Sequence, residues 1–238
     1  MDDRPNYKRI VLKLSGEALQ GDKTFGISYD VINSITEEIK QIHDLGVEIA
    51  IVTGGGNFFR GGTNNDINLD KASAHYIGML ATIMNGIALQ DVLESKGVIT
   101  RLISALEIKS VAEPFIRRRI IRHLEKGRVV IFAAGTGSPF FTTDTAAALR
   151  AIEIKADVLF KATKVDGVFS DDPHIVKDAK KFDQIGYSDI INKELKVLDH
   201  TAVTLCKENN LKIKIFNITK KGNILKSVLS DDIGTLIK

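Results

Sequence analysis

Short apolar runs alternate with longer segments of helical period along this chain. Residues 10–14, 47–52, 98–103, 128–133, 157–161, 212–216 and 235–237 are apolar with few interruptions, the pattern of strands covered on both faces. Between them, Ser28 is placed to cap a helix in which Ile32, Ile35, Ile39 and Ile42 recur on one face, with Gly46 just past its end. Further helices are predicted over 71–96, 113–126, 144–155 and 198–209, the first two stopping at Gly97 and Gly127. Alternating strands and helices predict an α/β fold, a three-layer αβα sandwich around a mainly parallel sheet. Residues 165–187 have turn chemistry and little period, and read as an excursion beside the site.

The 71–96 helix is apolar on more than one stripe: Ile77, Leu80, Ala81, Ile83, Met84, Ile87, Ala88, Leu89, Val92 and Leu93 cover most of its circumference. Such a helix is buried on several faces, either at the centre of a monomer or with a subunit interface as its second surface. Asn85, Gln90, Asp91 and Glu94 interrupt it and argue against a membrane span. Composition changes little: 44% hydrophobic and 26% charged residues are ordinary for a globular protein. At 238 residues one domain over 1–238 is expected. A net charge of +3 is too small to imply a nucleic-acid partner. The basic run Arg117, Arg118, Arg119 and Arg122 is interleaved with Glu113 and Glu125, as on a solvated face or an interface. One cysteine, Cys206, excludes an internal disulfide framework. With a polar start to the chain, it makes the cytoplasm the expected compartment. His43, His75, His123, His174 and His200 have no metal-ligand spacing.

The chemistry concentrates at strand ends. Lys13-Leu14-Ser15-Gly16, Gly54-Gly55-Gly56 with Arg60, the segment from Gly135 to Asp144, and Lys161 to Gly167 each follow an apolar run. In an open parallel sheet such ends face one crevice. Neither a Walker A sequence nor G-x-G-x-x-G is present. Polyglycine lets the backbone approach a phosphate and turn its N–H groups toward it, and Arg60 adds a fork-shaped charge. Lys13 lies in an apolar strand, where a cation needs an anion. Pro139 shapes the third loop, and Thr142, Thr143 and Asp144 open a helix whose N-terminus is an anion site. Asp144 is either that helix's cap or the group that orients Lys13 or a metal-bound water. Several phosphate-holding loops facing one another point to transfer between two phosphates.

On these strings the chain resembles the amino-acid kinase family and, within it, the bacterial uridylate (UMP) kinases. They are Lys-Leu-Ser-Gly-Glu-Ala-Leu at 13–19, Gly-Gly-Gly-Asn-Phe-Phe-Arg-Gly at 54–61, Gly-Met-Leu-Ala-Thr at 78–82, Gly-Thr-Gly-Ser-Pro-Phe-Phe-Thr-Thr-Asp at 135–144 and Lys-Ala-Thr-Lys-Val-Asp-Gly-Val at 161–168. The resemblance implies the carbamate kinase-like fold, with an acceptor-binding part over roughly 1–155 and an ATP-binding part over roughly 156–238. It implies transfer from ATP to UMP in pyrimidine nucleotide biosynthesis, with Mg2+ carried mainly on the ATP phosphates. Lys13, Leu14, Ser15, Gly16, Gly56 and Arg60 would hold ATP phosphates, and Thr163, Phe169 and Asp172 the adenosine part. Gly55, His75, Thr136, Gly137, Ser138, Pro139, Phe140, Phe141, Thr142 and Thr143 would hold UMP. Lys13, Arg60 and Asp144 would be catalytic, with Lys161 or Lys164 assisting. A hexamer built from dimers through the 71–96 helix, activation by GTP and inhibition by UTP are the family's habit.

Departures from the family pattern are local. His75 stands where Asp usually contacts the ribose, and Ser138 replaces an Asn. Gln90, Glu94 and Glu125 stand where many relatives carry basic residues associated with GTP, while Arg101 and Arg128 remain. Weak or absent GTP activation is the expectation.

Overall fold

Parallel pairing dominates the sheet, as strands apolar on both faces require. The computed structural model describes residues 4–59, 69–173, 175–176, 178–195 and 197–238. β1 (Arg9–Leu14) leads through α1 (Gly16–Gln20) and α2 (Tyr29–Asp44) to β2 (Glu48–Thr53) and α3 (Lys71–Ser95). β3 (Thr100–Ser104), β4 (Glu113–Pro114), α4 (Arg117–Glu125), β5 (Val129–Ala133), α5 (Thr143–Glu153) and β6 (Val158–Thr163) follow. The chain ends with β7 (Gln184–Ile185), α6 (Tyr187–Asn192), α7 (His200–Glu208), β8 (Lys212–Asn217), α8 (Asn223–Leu229) and β9 (Thr235–Ile237). The sheet order is β4-β3-β5-β2-β1-β6-β8-β9-β7, and among these strands β8 and β9 pair antiparallel while the other pairs are parallel.

The period-2 alternation sorts side chains to two cores. Ile10, Leu12, Leu14, Ile49, Ile51, Val158 and Phe160 pack with α2, α3 and α8, whereas Val11, Ala50, Val52, Leu159 and Ile213 pack with α4, α5 and α7. Helices therefore cover both faces, as predicted. Ile32, Ile35, Ile39 and Ile42 are all buried beneath α2. α3 is long and apolar enough by length and composition to cross a membrane, yet it carries a buried Thr82 and Asn85 on its inner face.

The helix predicted from residue 113 starts only at Arg117. Glu113 and Pro114 pair instead with Ile103 and Ser104 at the sheet edge. A residue before proline avoids the helical region, and at an edge the missing N–H costs no ladder bond. α1, β4, β7, α6 and α8 are too short to show a period in the sequence. α8 is held from outside itself: the buried Glu38 carboxylate of α2 accepts from Gly222 N at 2.8 Å and Ile224 N at 3.0 Å.

β1 and β6 are neighbours, and the chain leaves β1 toward β2 on one side but leaves β6 toward β8 and β7 on the other. That reversal opens a crevice at the carboxyl ends of the strands.

Candidate functional site

Strand register builds the centre of the crevice. Lys13 of β1 is the register partner of Lys161 of β6, so two lysines stand side by side on the face covered by α5. Both are largely buried, and the carboxylate of Asp144, from the first turn of α5, enters between them. Lys13 Nζ lies 2.9 Å from Asp144 Oδ1. Lys161 Nζ lies 2.5 Å from Asp144 Oδ2 and donates to Val197 O at 2.5 Å. Burial opposes ionisation of Asp144, but the two ammonium groups outweigh it and hold the carboxyl below the usual carboxylate range. For Lys161, burial outweighs the attraction of Asp144, and the adjacent Lys13 adds to the effect, so its ammonium is held below the ordinary lysine range. Lys164, in contrast, is exposed and pairs with Glu17 at 3.9 Å. The lysine that joins Lys13 is Lys161.

Asp144 is not the helix cap. Thr142 Oγ1 takes that role, accepting from Asp144 N at 3.1 Å and Thr145 N at 3.2 Å, and its hydroxyl donates to Asp199. Asp199 also accepts from Thr145 Oγ1 at 2.9 Å and from Ala202 N at 2.9 Å, so one carboxylate ties the starts of α5 and α7 together. Sequence reasoning missed Asp199. Its only signal is its place as a helix N-cap.

The phosphate-type turns meet beside this cluster. Ser15 caps α1 through Ala18 N at 3.2 Å, and Gly54 N donates to Leu14 O at 2.9 Å. A Cβ on Gly16 would lie 2.6 Å from Gly56 N and 2.5 Å from Asn57 Oδ1, so the two turns are too close to admit a side chain there. Arg60 lies outside the described residues.

A cavity of about 500 Å3 opens next to these turns, lined by Gly55, Gly56, Phe59, Lys71, Ala74, His75, Gly78, Met79, Thr82, Gly135, Thr136, Ser138, Phe141, Thr142 and Thr143. Its size suits a small organic ligand. Of the residues assigned to an acceptor, Gly55, His75, Thr136, Ser138, Phe141, Thr142 and Thr143 line it. Gly137, Pro139 and Phe140 shape the loop behind, with the Phe140 ring centroid 5.3 Å from that of His75. Lys71, Ala74, Met79 and Thr82 were not anticipated; they share the α3 face of Gly78. Ala134 and Phe140 have positive φ of 61° and 70°, strain that L-residues carry where surroundings impose it. For Ala134 the constraint is Thr82 Oγ1, which accepts its N–H at 2.7 Å. Buried Arg150 donates to Gly135 O at 3.2 Å and stacks over Phe115 at 4.0 Å.

Thr163, at the end of β6, turns the chain outward by donating to Val165 O at 2.9 Å. Phe169 bridges to Lys181, and Asp172 O accepts from Val176 N at 2.8 Å. No group of three or more metal-ligand side chains occurs among the described residues.

The family model of the amino acid kinase family matches residues 8–217. Among solved structures, a UMP kinase from Bacillus anthracis is 40% identical, with a TM-score of 0.95 over 99% of this chain and 97% of that one. A UMP kinase from Ureaplasma parvum is 35% identical, with a TM-score of 0.91 over 97% of this chain and 98% of that one. A uridylate kinase from Archaeoglobus fulgidus is 27% identical, with a TM-score of 0.75 over 96% and 99% of the two chains.

Proposed function

The chain belongs to the amino acid kinase family, and from that membership we propose that it is a UMP kinase, moving the γ-phosphoryl of ATP to UMP to give UDP and ADP in pyrimidine nucleotide synthesis. The observation that carries the reading is the paired-lysine cluster at the strand ends, Lys13 and Lys161 about Asp144, beside the Gly55 turn that lines the cavity. UMP occupies that cavity, with its phosphate toward Gly55 and the start of α5. The ATP phosphates lie over Lys13, Ser15, Gly16, Gly56 and Arg60, and the adenosine lies toward Thr163, Phe169 and Asp172. In this reading residues up to about 155 serve mainly the acceptor and the rest mainly ATP.

A nucleotide monophosphate has a second pKa near 6 and is mostly a dianion at neutral pH. It is its own nucleophile, and no side chain has to remove a proton. The chain's task is in-line positioning and neutralising charge on the transferred group and leaving oxygen. Lys13 supplies a cation to that group. Asp144 aims Lys13 and is itself held by Lys161. Mg2+, bound through the ATP phosphates, would neutralise charge on the phosphoryl oxygens. Each oxygen of Asp144 faces a lysine, but among the described residues only Oδ2 accepts a hydrogen bond, from Lys161, while Oδ1 is paired with Lys13 by charge.

Coupled ADP release with ATP and Mg2+ tests the reading across UMP, CMP, dUMP, dTMP, carbamate and N-acetylglutamate. Turnover with UMP alone is expected. Equal rates with CMP overturn the base choice, and turnover only with carbamate or N-acetylglutamate overturns the acceptor class. Added GTP is expected to change the rate little, because Arg101 lies among Glu94, at 3.7 Å, and Glu113, at 3.5 Å; several-fold activation overturns that expectation. UTP in the same assay is expected to inhibit.

The same reading includes self-association, as a hexamer built from three dimers. Ile77, Leu80, Met84 and Ile87, spaced at three and four residues along α3, form an apolar stripe 37–48% exposed, the kind of patch a second copy covers. Leu80→Glu is expected to shift the sedimenting species to monomer without loss of helical circular dichroism. A monomeric unmodified protein, or an unchanged assembly in the variant, removes this face as the interface.

A further inference from the structure

Two buried amides sit directly beneath the turns assigned to phosphate. Asn57, at the end of the glycine turn, and Asn85, on the inner face of α3, are both almost wholly buried. They face each other as a reciprocal pair: Asn57 Nδ2 donates to Asn85 Oδ1 at 2.8 Å, and Asn85 Nδ2 donates to Asn57 Oδ1 at 2.8 Å. Each Nδ2 has a second acceptor. Asn85 donates to Gly54 O at 2.7 Å, and Asn57 to Gly26 O at 3.0 Å. Every amide N–H of the pair is therefore used, and rotating either amide would set carbonyl against carbonyl.

We propose that Asn57 and Asn85 act as one positioning unit, which fixes the backbone of residues 54–56 against the Ser15–Gly16 turn so that donor and acceptor phosphates meet in line. The inference rests on the kinase reading above. The contacts show why the pair reaches both turns. Asn85 pins the carbonyl of Gly54, whose N–H is tied to Leu14 O at 2.9 Å. A Cβ on Gly16 would lie 2.5 Å from Asn57 Oδ1, so the first turn rests directly on the second amide. Neither side chain lines the cavity. Their effect on transfer passes through the glycine backbone, where a displacement of about 1 Å costs on the order of 10²-fold in rate.

The experiment compares kcat and KM for ATP and UMP in the full chain, in Asn57→Ala, in Asn85→Ala and in the double variant, well below each melting temperature. Each single variant is expected to lower kcat at least about tenfold, more than it raises either KM. The double variant is expected to be no slower than the worse single, because residues acting as a unit are not additive. Asn85→Asp keeps the shape but turns a donor toward two oxygens into a carboxylate. Its rate relative to the unmodified chain is expected to rise as pH falls, since protonation returns one donor to Gly54 O, and a buried carboxyl titrates well above the usual range. Folded single variants with kcat within about twofold of the unmodified chain, losses that multiply in the double, or a flat ratio across pH overturn the inference. So does failure of all the variants to fold, which assigns the pair to stability alone. If the unmodified chain turns over none of the acceptors, the kinase reading falls and takes this inference with it; normal UMP turnover with unaffected variants removes only the positioning unit.

Discussion

Lys13→Ala is expected to lower kcat for UMP phosphorylation by about 10²–10³, the usual loss when one preorganised donor to developing charge is removed, with the fold intact. The size follows from burial. Among the described residues Lys13 has a single ion-pair partner, Asp144 at 2.9 Å, and it is buried where water can replace little of its field. A charge at such a site acts on the transferred phosphoryl more strongly than one in solvent. Lys161 is the control for this argument. Held by both Asp144 and Val197 O, it has fewer donors to spare for substrate. Both alanine variants remove half of the compensation around the buried Asp144 carboxylate, but Lys161→Ala also leaves Val197 O without its donor, so it should cost the more stability and the less rate. The measurement is kcat and KM for each variant beside its urea midpoint. Near-normal turnover in Lys13→Ala removes it from the transfer step. A larger kcat loss and a smaller midpoint shift in Lys161→Ala reverses the two roles.

This division of labour was only half legible in the sequence. Lys13 could be seen as a charge in an apolar strand. Its partner could be named only as one of two alternatives, because Asp144 at the start of a helix offers a cap as readily as a counter-ion, and the hydroxyl of Thr142 decides the matter by capping first. The choice between Lys161 and Lys164 depends on strand register: Lys161 is still in β6 opposite Lys13, whereas Lys164 has left the strand. Long elements were readable because each carries its own period, α2 above all. α8 was not, because its first turn is completed by Glu38 from more than a hundred residues away. The same holds for the Asn57 and Asn85 pair. Asn85 looked like a polar interruption of an apolar helix, and only the packing of α3 under the glycine turn shows which carbonyl it meets. Four strand ends facing one crevice were foreseeable from alternation alone, since parallel strands place their carboxyl ends on one edge.

The neighbouring glycines of that turn give a second large effect, and for opposite reasons. In Gly55→Ala the new Cβ would lie 2.5 Å from Gly78 O and 2.9 Å from Ala81 Cβ, both on α3. A backbone carbonyl inside a 25-residue helix cannot step aside alone, so the turn or the helix must shift. Overpacking of this kind costs about 1–3 kcal/mol, and a turn displaced by about 1 Å loses on the order of 10²-fold in rate. In Gly56→Ala the nearest atom is Glu17 Cγ at 3.8 Å, ordinary contact, and stability should stay within about 0.5 kcal/mol. Activity should nevertheless fall, because the space the methyl group takes is the space a phosphate needs to reach the backbone N–H groups. Urea midpoints and kcat/KM for ATP and UMP separate the two cases. Gly55→Ala is expected to lose both stability and rate, and Gly56→Ala rate alone, with KM for ATP raised most. A Gly56→Ala protein as active as the unmodified chain would mean that no phosphate approaches this turn closely, and the donor would have to lie elsewhere in the crevice. A Gly55→Ala protein of unchanged stability would mean that α3 and the turn are not in rigid contact, and the case for α3 as the element that sets the turn would fail with it.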